Sequence, residues 1–455
     1  MKMNVSDWLA SLQGKKLIVL GLGVSNRPLV RLLLEAGCTV LGCDATPYEK
    51  LDDEVLELER LGCTLQVGEN YLQNLQGDLI FRTPGLHPGR PELANIPKEK
   101  LTSEMEAFFA LCPCPILAVT GSDGKTTTTT LIAKMLEQEG YRVYLGGNIG
   151  TPLLPLVEKM QSTDMAVVEL SSFQLMDFRY SPHVAVVTNL APNHLDIHRD
   201  MAEYVEAKEQ IYLHQTPADT LIVNRDNAIT HSFAEKAPGR CLEFSRQSVP
   251  QKGAFVRDGV LYWTENGVET RLFSQEDILL PGVHNVENYL AAICAVWGLV
   301  SPENIRKVAL AFAGVEHRIE LVRTVRGVKY YNDSIASSPS RTIAGLRSFK
   351  EKVILIAGGY DKKVPYDVLG PEICAHVKTL VLNGATAEKI REAVVKAGDA
   401  PETYMEPDFT AAVEKAASLA KPGDIVLMSP ASAAFDQFKN FMVRGNYFKE
   451  LVKKL

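Results

Sequence analysis

Residues Ala118-Val-Thr120-Gly121-Ser122-Asp123-Gly124-Lys125-Thr126-Thr127 could carry chemistry by their types and spacing alone. They follow the apolar run Pro115-Ile-Leu-Ala-Val and precede the helical pattern Leu131-Ile-Ala-Lys-Met-Leu. A strand that breaks into glycines and then enters a helix is a phosphate cradle. Backbone N–H groups face the anion, the helix N-terminus adds positive potential, Lys125 reaches the terminal phosphates, and the Thr126 hydroxyl suits Mg²⁺. The strict phosphate-loop spacing would place a glycine at position 119, where valine stands. The loop is therefore a variant one, and an ATP or GTP user is implied.

Further polar groups end apolar strands downstream, where a charge without a partner is costly. Val167-Val168-Glu169 ends in a carboxylate that suits a metal beside a nucleotide loop. Val184-Ala-Val-Val-Thr-Asn189-Leu-Ala-Pro-Asn193-His194-Leu-Asp196 ends in a polar cluster. In Tyr204-Val-Glu-Ala-Lys208-Glu-Gln, a helical pattern rich in polar residues places Lys208 on a solvated face.

Upstream, Gly21-Leu-Gly23-Val24-Ser25 follows the strand Lys16–Leu20, and Asp44 ends the next strand, as in a dinucleotide-binding start. Asn26 replaces the third fingerprint glycine, so NAD(P) binding and a purely structural turn both stay open. A second turn, Arg82-Thr83-Pro84-Gly85, follows the strand Asp78-Leu-Ile-Phe.

Three α/β units are needed to position these groups. Apolar β-rich runs break into glycines at Gly21, Gly121 and Gly358-Gly359, each reading as the first strand and loop of a unit. Cys112-Pro-Cys-Pro115 marks the entry to the central unit, because proline disfavours helix at the residue before it. A second boundary falls near Ala313-Gly314. The expected domains are 1–111, 112–314 and 315–455: a Rossmann-like first domain, a phosphate-loop ATPase-like centre, and a Rossmann-like third. The central sheet is expected to be mostly parallel, with an antiparallel patch whose hairpin turns at Asp258-Gly259.

The chain has 455 residues, and 48 basic against 55 acidic residues give a net charge of −7, which points to neither nucleic acid nor an anionic membrane. No apolar run approaches the ~20 residues of a membrane span, and Met1-Lys-Met-Asn-Val-Ser-Asp-Trp lacks a signal-peptide core. A soluble cytoplasmic protein with free or buried thiols is expected from this and from the scatter of the eight cysteines.

Taken together, the segments resemble the Mur ligase family, ATP-dependent amide-forming enzymes of peptidoglycan precursor synthesis. The resemblance rests on the phosphate loop, Glu169-Leu-Ser-Ser-Phe-Gln, Asn193-His194-Leu-Asp196, Lys208, His284-Asn285-Val-Glu-Asn288, Glu316-His317-Arg318, Asn332-Asp333-Ser334 and Gly358-Gly-Tyr-Asp-Lys362. The stretch Ser429-Pro-Ala-Ser-Ala-Ala-Phe435-Asp436-Gln-Phe-Lys-Asn-Phe441-Met-Val-Arg444-Gly445 resembles the branch that adds D-glutamate to UDP-N-acetylmuramoyl-L-alanine.

What the resemblance implies is an acyl phosphate made from ATP, which the amine of D-glutamate then attacks. It implies Lys125, Lys208, His194 and Asp333 as catalytic groups. ATP would be held by Gly121, Ser122, Asp123, Gly124, Lys125, Thr126, Thr127, Asn288, His317, Arg318 and Asp333. Two Mg²⁺ ions would be held by Thr126, Glu169, His194 and Lys208, the last as a carbamate. The uridine substrate would contact Gly23, Val24, Ser25, Asp44, Thr83, Pro84, Gly85 and Asn148; D-glutamate would contact Lys362, Ser337, Phe435 and Phe441. A monomer is expected.

Two stretches depart from the branch's pattern. Asp333-Ser-Ile335-Ala-Ser337-Ser338 replaces Asp-Ser-Lys-Ala-Thr-Asn, with Arg341 as a nearby substitute cation, and Ala434 replaces a serine. Alternative readings are another amino-acid ligase of the family, a nucleotide-dependent regulator without chemistry, and an oxidoreductase using the first domain.

Overall fold

The computed structural model describes residues 3–192, 197–280 and 282–455. Asn193, His194 and Asp196 lie outside the described residues, so the metal and catalytic expectation for His194 has no structural counterpart.

The fold is α/β, built on three sheets. The first contains β1 (Lys16–Leu20), β2 (Thr39–Asp44), β3 (Thr64–Val67), β4 (Leu79–Arg82) and β5 (Leu101–Thr102). Its order is β3-β2-β1-β4-β5, and every pair is parallel. The strand order reverses between β1 and β4, so the loops after β1 and β4 open at a topological switch point, where α/β sheets bind ligands. Those are the loops that begin with Gly21 and Thr83.

The second sheet contains β6 (Ile116–Thr120), β7 (Val143–Gly147), β8 (Met165–Glu169), β9 (Val184–Val187), β10 (Thr220–Asn224), β11 (Arg240–Ser245), β12 (Lys252–Arg257), β13 (Val260–Glu265) and β14 (Val268–Ser274). Its order is β14-β13-β12-β11-β10-β9-β6-β8-β7, parallel except for the β12–β13 and β13–β14 pairs. Asp258 (φ 50°) and Gly259 (φ 72°) both take left-handed conformations between β12 and β13, as the expected hairpin turn requires. The inner strands β6 and β8 are buried at every position, which explains their continuous apolar runs.

The third sheet contains β15 (Glu320–Val325), β16 (Val328–Asn332), β17 (Val353–Ala357), β18 (Val377–Leu382), β19 (Glu402–Met405) and β20 (Ile425–Met428). Its order is β15-β16-β20-β17-β18-β19, with β15–β16 the antiparallel pair.

The chain forms two compact units, one of residues 1–275 and 287–308, the other of 276–286 and 309–455. The first and second sheets belong to the first unit and share a continuous apolar core, in which Phe81, Phe108, Phe109 and Cys112 pack in one cluster with Leu170, Leu175 and Phe178. The third sheet belongs to the second unit and is filled on its two faces by separate clusters around Leu355 and Ile356. No helix among the described residues is long and apolar enough to cross a membrane. The eight cysteines are all free.

Candidate active site

Within the first unit, the loop after β6 is shaped by two glycines. Gly121 (φ 147°) and Gly124 (φ 78°) adopt conformations that side chains rarely take, and Gly124 is the N-cap of the helix Lys125–Glu139. A Cβ at Gly121 would strike Thr188 Oγ1, and one at Gly124 would strike Asn288 Oδ1, so neighbouring segments close on the loop from two sides. The loop is fastened to the end of β9: Ser122 N–H donates to Asn189 O at 2.8 Å, Asp123 N–H to Asn189 Oδ1 at 3.0 Å, and Thr188 Oγ1 to Asp123 O at 2.6 Å. Lys125 folds back over the loop, its Nζ 2.9 Å from the carbonyls of both Gly121 and Ser122. Thr126 and Thr127 are buried in the first turn. Asn288, on the helix Val283–Val296, accepts from Thr128 Oγ1 at 3.2 Å, which brings it to the start of the loop helix.

Lys208 corrects the solvated-face reading. It lies on the helix Met201–Leu213 and is 1% exposed. Its Nζ donates to Gly121 O at 2.9 Å and Thr120 Oγ1 at 3.2 Å, and sits 4.9 Å over the Tyr204 ring. Burial, reinforced by the nearby Lys125 ammonium, pushes its pKa well below the usual lysine range. The polar pattern of the helix misleads because Lys208 packs beneath the phosphate loop, whose carbonyls replace water.

Glu169 ends β8, with Val119 of β6 as its register partner, and is buried. Its Oε1 accepts from Asn148 Nδ2 at 2.7 Å, while Oε2 is buried and has no hydrogen-bond partner. An orphaned carboxylate oxygen at this strand end, close enough to feel the Lys208 charge, fits a hard cation held together with a hydroxyl such as that of Thr126. Among the described residues, no group of three or more His, Cys, Asp or Glu side chains converges as a preformed cage.

The loops of the first sheet meet at the switch point. Asp44 accepts from Leu22 N–H at 2.7 Å and Thr46 N–H at 2.9 Å, so its carboxylate shapes the loop after β1. Asn26, at the third fingerprint position, is buried and donates to Gly21 O at 2.8 Å. Gly23 and Val24 are exposed on that loop, and Val24 keeps 74% of its surface open beside Ser25. A Cβ on Gly21 would lie 2.6 Å from Thr83 Cγ2, so the turn Thr83-Pro84-Gly85 packs directly against it.

In the second unit, Asp333 follows β16 and is buried; Ser429 Oγ donates to its Oδ2 at 2.7 Å and Ile319 N–H to its Oδ1 at 3.3 Å. Burial outweighs these donors and pushes the carboxyl up to about 7. His317 (φ 63°) is buried against Asn332 Nδ2 at 2.9 Å and Gly445, and burial lowers its pKa. Arg318 is half-buried beside it. Arg444 is 2% exposed and donates to Ala433 O, Ser432 O, Ser334 O and Ser334 Oγ, which ties the loop after β20 to the loop after β16. Phe441 meets His317 edge-on at 6.0 Å, and Phe435, 60% exposed, meets Tyr360 edge-on at 5.8 Å. Ser337 is half-buried and Lys362 exposed. Arg341 is exposed and donates to Ile335 O at 3.2 Å.

Residues 119–296 match the Mur ligase middle domain, and residues 317–432 match the Mur ligase glutamate ligase domain. The chain belongs to the Mur ligase family. A UDP-N-acetylmuramoylalanine–D-glutamate ligase of Acetivibrio thermocellus is 51% identical over all of both chains, and one from Ruminiclostridium cellulolyticum is 48% identical, again over all of both. Among solved structures, the UDP-N-acetylmuramate-alanine ligase MurC of Thermotoga maritima aligns with a TM-score of 0.57 at 17% identity, over 97% of this chain and 99% of that one. MurF of Acinetobacter baumannii aligns at 0.56 and 18%, over 98% and 93%. At such identity these two show the Mur ligase fold alone.

Reading residue types missed three groups in this Mur ligase. Tyr204 places its hydroxyl 3.0 Å from Ser122 Oγ, Arg82 is buried beneath the Thr83 turn, and buried Glu104 accepts Leu154 N–H at 3.2 Å. Alternation in the sequence could have marked Glu104, a carboxylate within the apolar helix Glu104–Leu111.

Proposed function

We propose that this chain ligates D-glutamate to UDP-N-acetylmuramoyl-L-alanine at the expense of ATP, as a monomer in the bacterial cytoplasm. The observation that carries the reading is the phosphate loop with a buried Lys208 amine and an orphaned Glu169 oxygen at its base, in a chain 51% identical throughout to a ligase of that name. The domains are taken as 1–111 for the uridine substrate, 112–314 for ATP and 315–455 for the amino acid.

A carboxylate does not acylate an amine in water, because oxide is a poor leaving group. The alanyl carboxylate therefore attacks the γ-phosphorus of ATP; an O–P bond forms, the β,γ-bridging bond breaks, and ADP leaves. The free amine of D-glutamate attacks the acyl carbon, and the tetrahedral adduct expels phosphate as the amide forms. Catalysis is mainly positioning and charge neutralisation. Lys125 swings from the loop carbonyls to the β- and γ-phosphates, and the N–H groups of Gly124 to Thr127 at the helix N-terminus cradle them. Asn288 faces the adenine, while His317, Arg318 and Asp333 serve the same nucleotide.

Thr126, Glu169, His194 and Lys208 would hold Mg²⁺, which when bound neutralises phosphate charge. An ammonium at Lys208 would repel such an ion. Burial disfavours that ammonium, and the neutral amine is the form that adds CO₂, releasing a proton and turning the side chain into an anionic carbamate. Gly23, Val24, Ser25, Asp44, Thr83, Pro84, Gly85 and Asn148 form the uridine-substrate contacts, and Lys362, Ser337, Phe435 and Phe441 the amino-acid pocket. Incubation with ATP, Mg²⁺ and UDP-N-acetylmuramoyl-L-alanine should yield stoichiometric ADP only when D-glutamate is added; ADP release indifferent to the amino acid would refute the reading.

A further inference from the structure

Arg82 is the last residue of β4 and only 7% exposed. Its guanidinium reaches no carboxylate within ion-pair distance among the described residues. It donates instead to three backbone carbonyls: Leu86 O at 2.5 Å, Met176 O at 3.1 Å and Thr83 O at 3.4 Å. A buried charge whose hydrogen bonds all go to carbonyls, with Asp177 and Glu106 near enough to favour it but in no ion pair with it, is a costly way to hold a fold, and an apolar side chain of similar volume often serves stability as well. The carbonyls it chooses are informative. Thr83 and Leu86 bracket the turn Thr83-Pro84-Gly85-Leu86, which Leu86 N–H also closes onto Thr83 O at 3.1 Å. Met176 directly follows the short helix Ser172–Leu175, whose capping box begins two residues after Glu169. One planar fork therefore grips the turn at the mouth of the first sheet and the segment that leaves the carboxylate strand of the second.

One residue beyond the turn, His87 Nε2 lies 3.5 Å from Glu203 Oε2 on the helix that carries Lys208, a close approach without a hydrogen bond. These contacts lie within the first compact unit. A substrate whose uridine end rests on the Thr83 turn and whose carboxylate must meet the γ-phosphate needs the distance between these segments fixed. That is the near-attack requirement.

We propose that Arg82 is a positioning residue for the uridine substrate, setting the Thr83–Leu86 turn in register with the phosphate-loop sheet without touching the reacting atoms. This rests on the reading of that turn as part of the uridine-diphosphate site. The test compares wild type with Arg82→Met and Arg82→Lys by steady-state kinetics and by calorimetric titration with UDP and with ATP. Arg82→Met should melt within a few degrees of wild type and keep its ATP affinity. Its KM for UDP-N-acetylmuramoyl-L-alanine and its Kd for UDP should both rise about tenfold or more, and Arg82→Lys, whose single ammonium cannot span both segments, should recover only part of the loss.

Unchanged UDP affinity and KM in Arg82→Met would overturn the proposal, and so would loss of the folded state in both variants, which would make the residue purely structural. Asp44→Ala separates the two readings. If it abolishes UDP binding while Arg82→Met does not, only the role of Arg82 falls; if UDP fails to bind wild type, the uridine-site reading falls with it.

Discussion

Replacing Glu104 by glutamine should make the protein more stable above neutral pH and slightly less stable in acid. Glu104 is buried, and the one hydrogen bond it accepts among the described residues comes from the Leu154 N–H at 3.2 Å. Burial pushes its carboxyl from 4.5 up to about 7. Because the folded-state pKa lies above the unfolded one, the folded chain binds more protons between these values. Stability is therefore greatest below about 4.5, falls as pH rises toward 7, and stays low above it.

The shift, at 1.36 kcal/mol per unit, sets an upper bound of ~3 kcal/mol on that loss. Glutamine keeps the acceptor for Leu154 but brings an amide NH₂ that costs ~1 kcal/mol if unpaired. The net expectation is a gain of ~2 kcal/mol at pH 8 and a loss of ~1 kcal/mol at pH 4.5. Melting temperature should then rise by roughly 4 °C at pH 8 and fall by roughly 2 °C at pH 4.5, at about 2 °C per kcal/mol. Differential scanning calorimetry of both proteins at both pH values measures this, and the contribution of Asp333, common to the two, cancels. An offset that is the same at pH 4.5 and pH 8 would refute the reasoning, because it would mean that Glu104 does not titrate in this range.

Lys125→Ala should lower turnover at least ~10²-fold while leaving the melting temperature within a few degrees, since Lys125 spans loop carbonyls and no core; near-normal activity would remove the loop from catalysis. Gly124→Ala should abolish ATP binding in a titration, because its Cβ has a left-handed φ of 78° to adopt and Asn288 in its way. Lys208→Ala should lose most activity, and added short carboxylates should restore part of it by occupying the anionic position of a carbamate. Loss of activity without such rescue, together with unchanged wild-type rates after bicarbonate depletion, would assign Lys208 to packing alone.

Strand ends were the most legible part of the fold, for a physical reason. Gly21, Gly121 and Gly358 stand at positive φ where parallel strands break into ligand-facing loops, so an apolar run ending in glycine marks both an element and its functional end. The Asp258-Gly259 hairpin was legible because few residue pairs tolerate two left-handed conformations in succession. Lys208 was not legible from periodicity: Tyr-Val-Glu-Ala-Lys-Glu-Gln carries the polarity of a surface helix, and only the fold supplies carbonyls of Thr120's neighbour Gly121 to the buried amine. Arg82 was hidden for a related reason. Arg-Thr-Pro-Gly reads as an exposed turn, whereas the guanidinium is turned inward onto carbonyls contributed by residues four and ninety-four positions away. The shared core of the first two sheets was also invisible, because Cys112-Pro-Cys-Pro115 reads as a break although both cysteines are buried within that core.

The most direct test of the central claim is ADP release by the purified chain with ATP, Mg²⁺ and UDP-N-acetylmuramoyl-L-alanine against a panel of amino acids of both hands. The account predicts turnover with D-glutamate well above that with L-glutamate, L-alanine, lysine or a diamino acid, with one amide formed per ADP. Faster turnover with any of those competitors would contradict it.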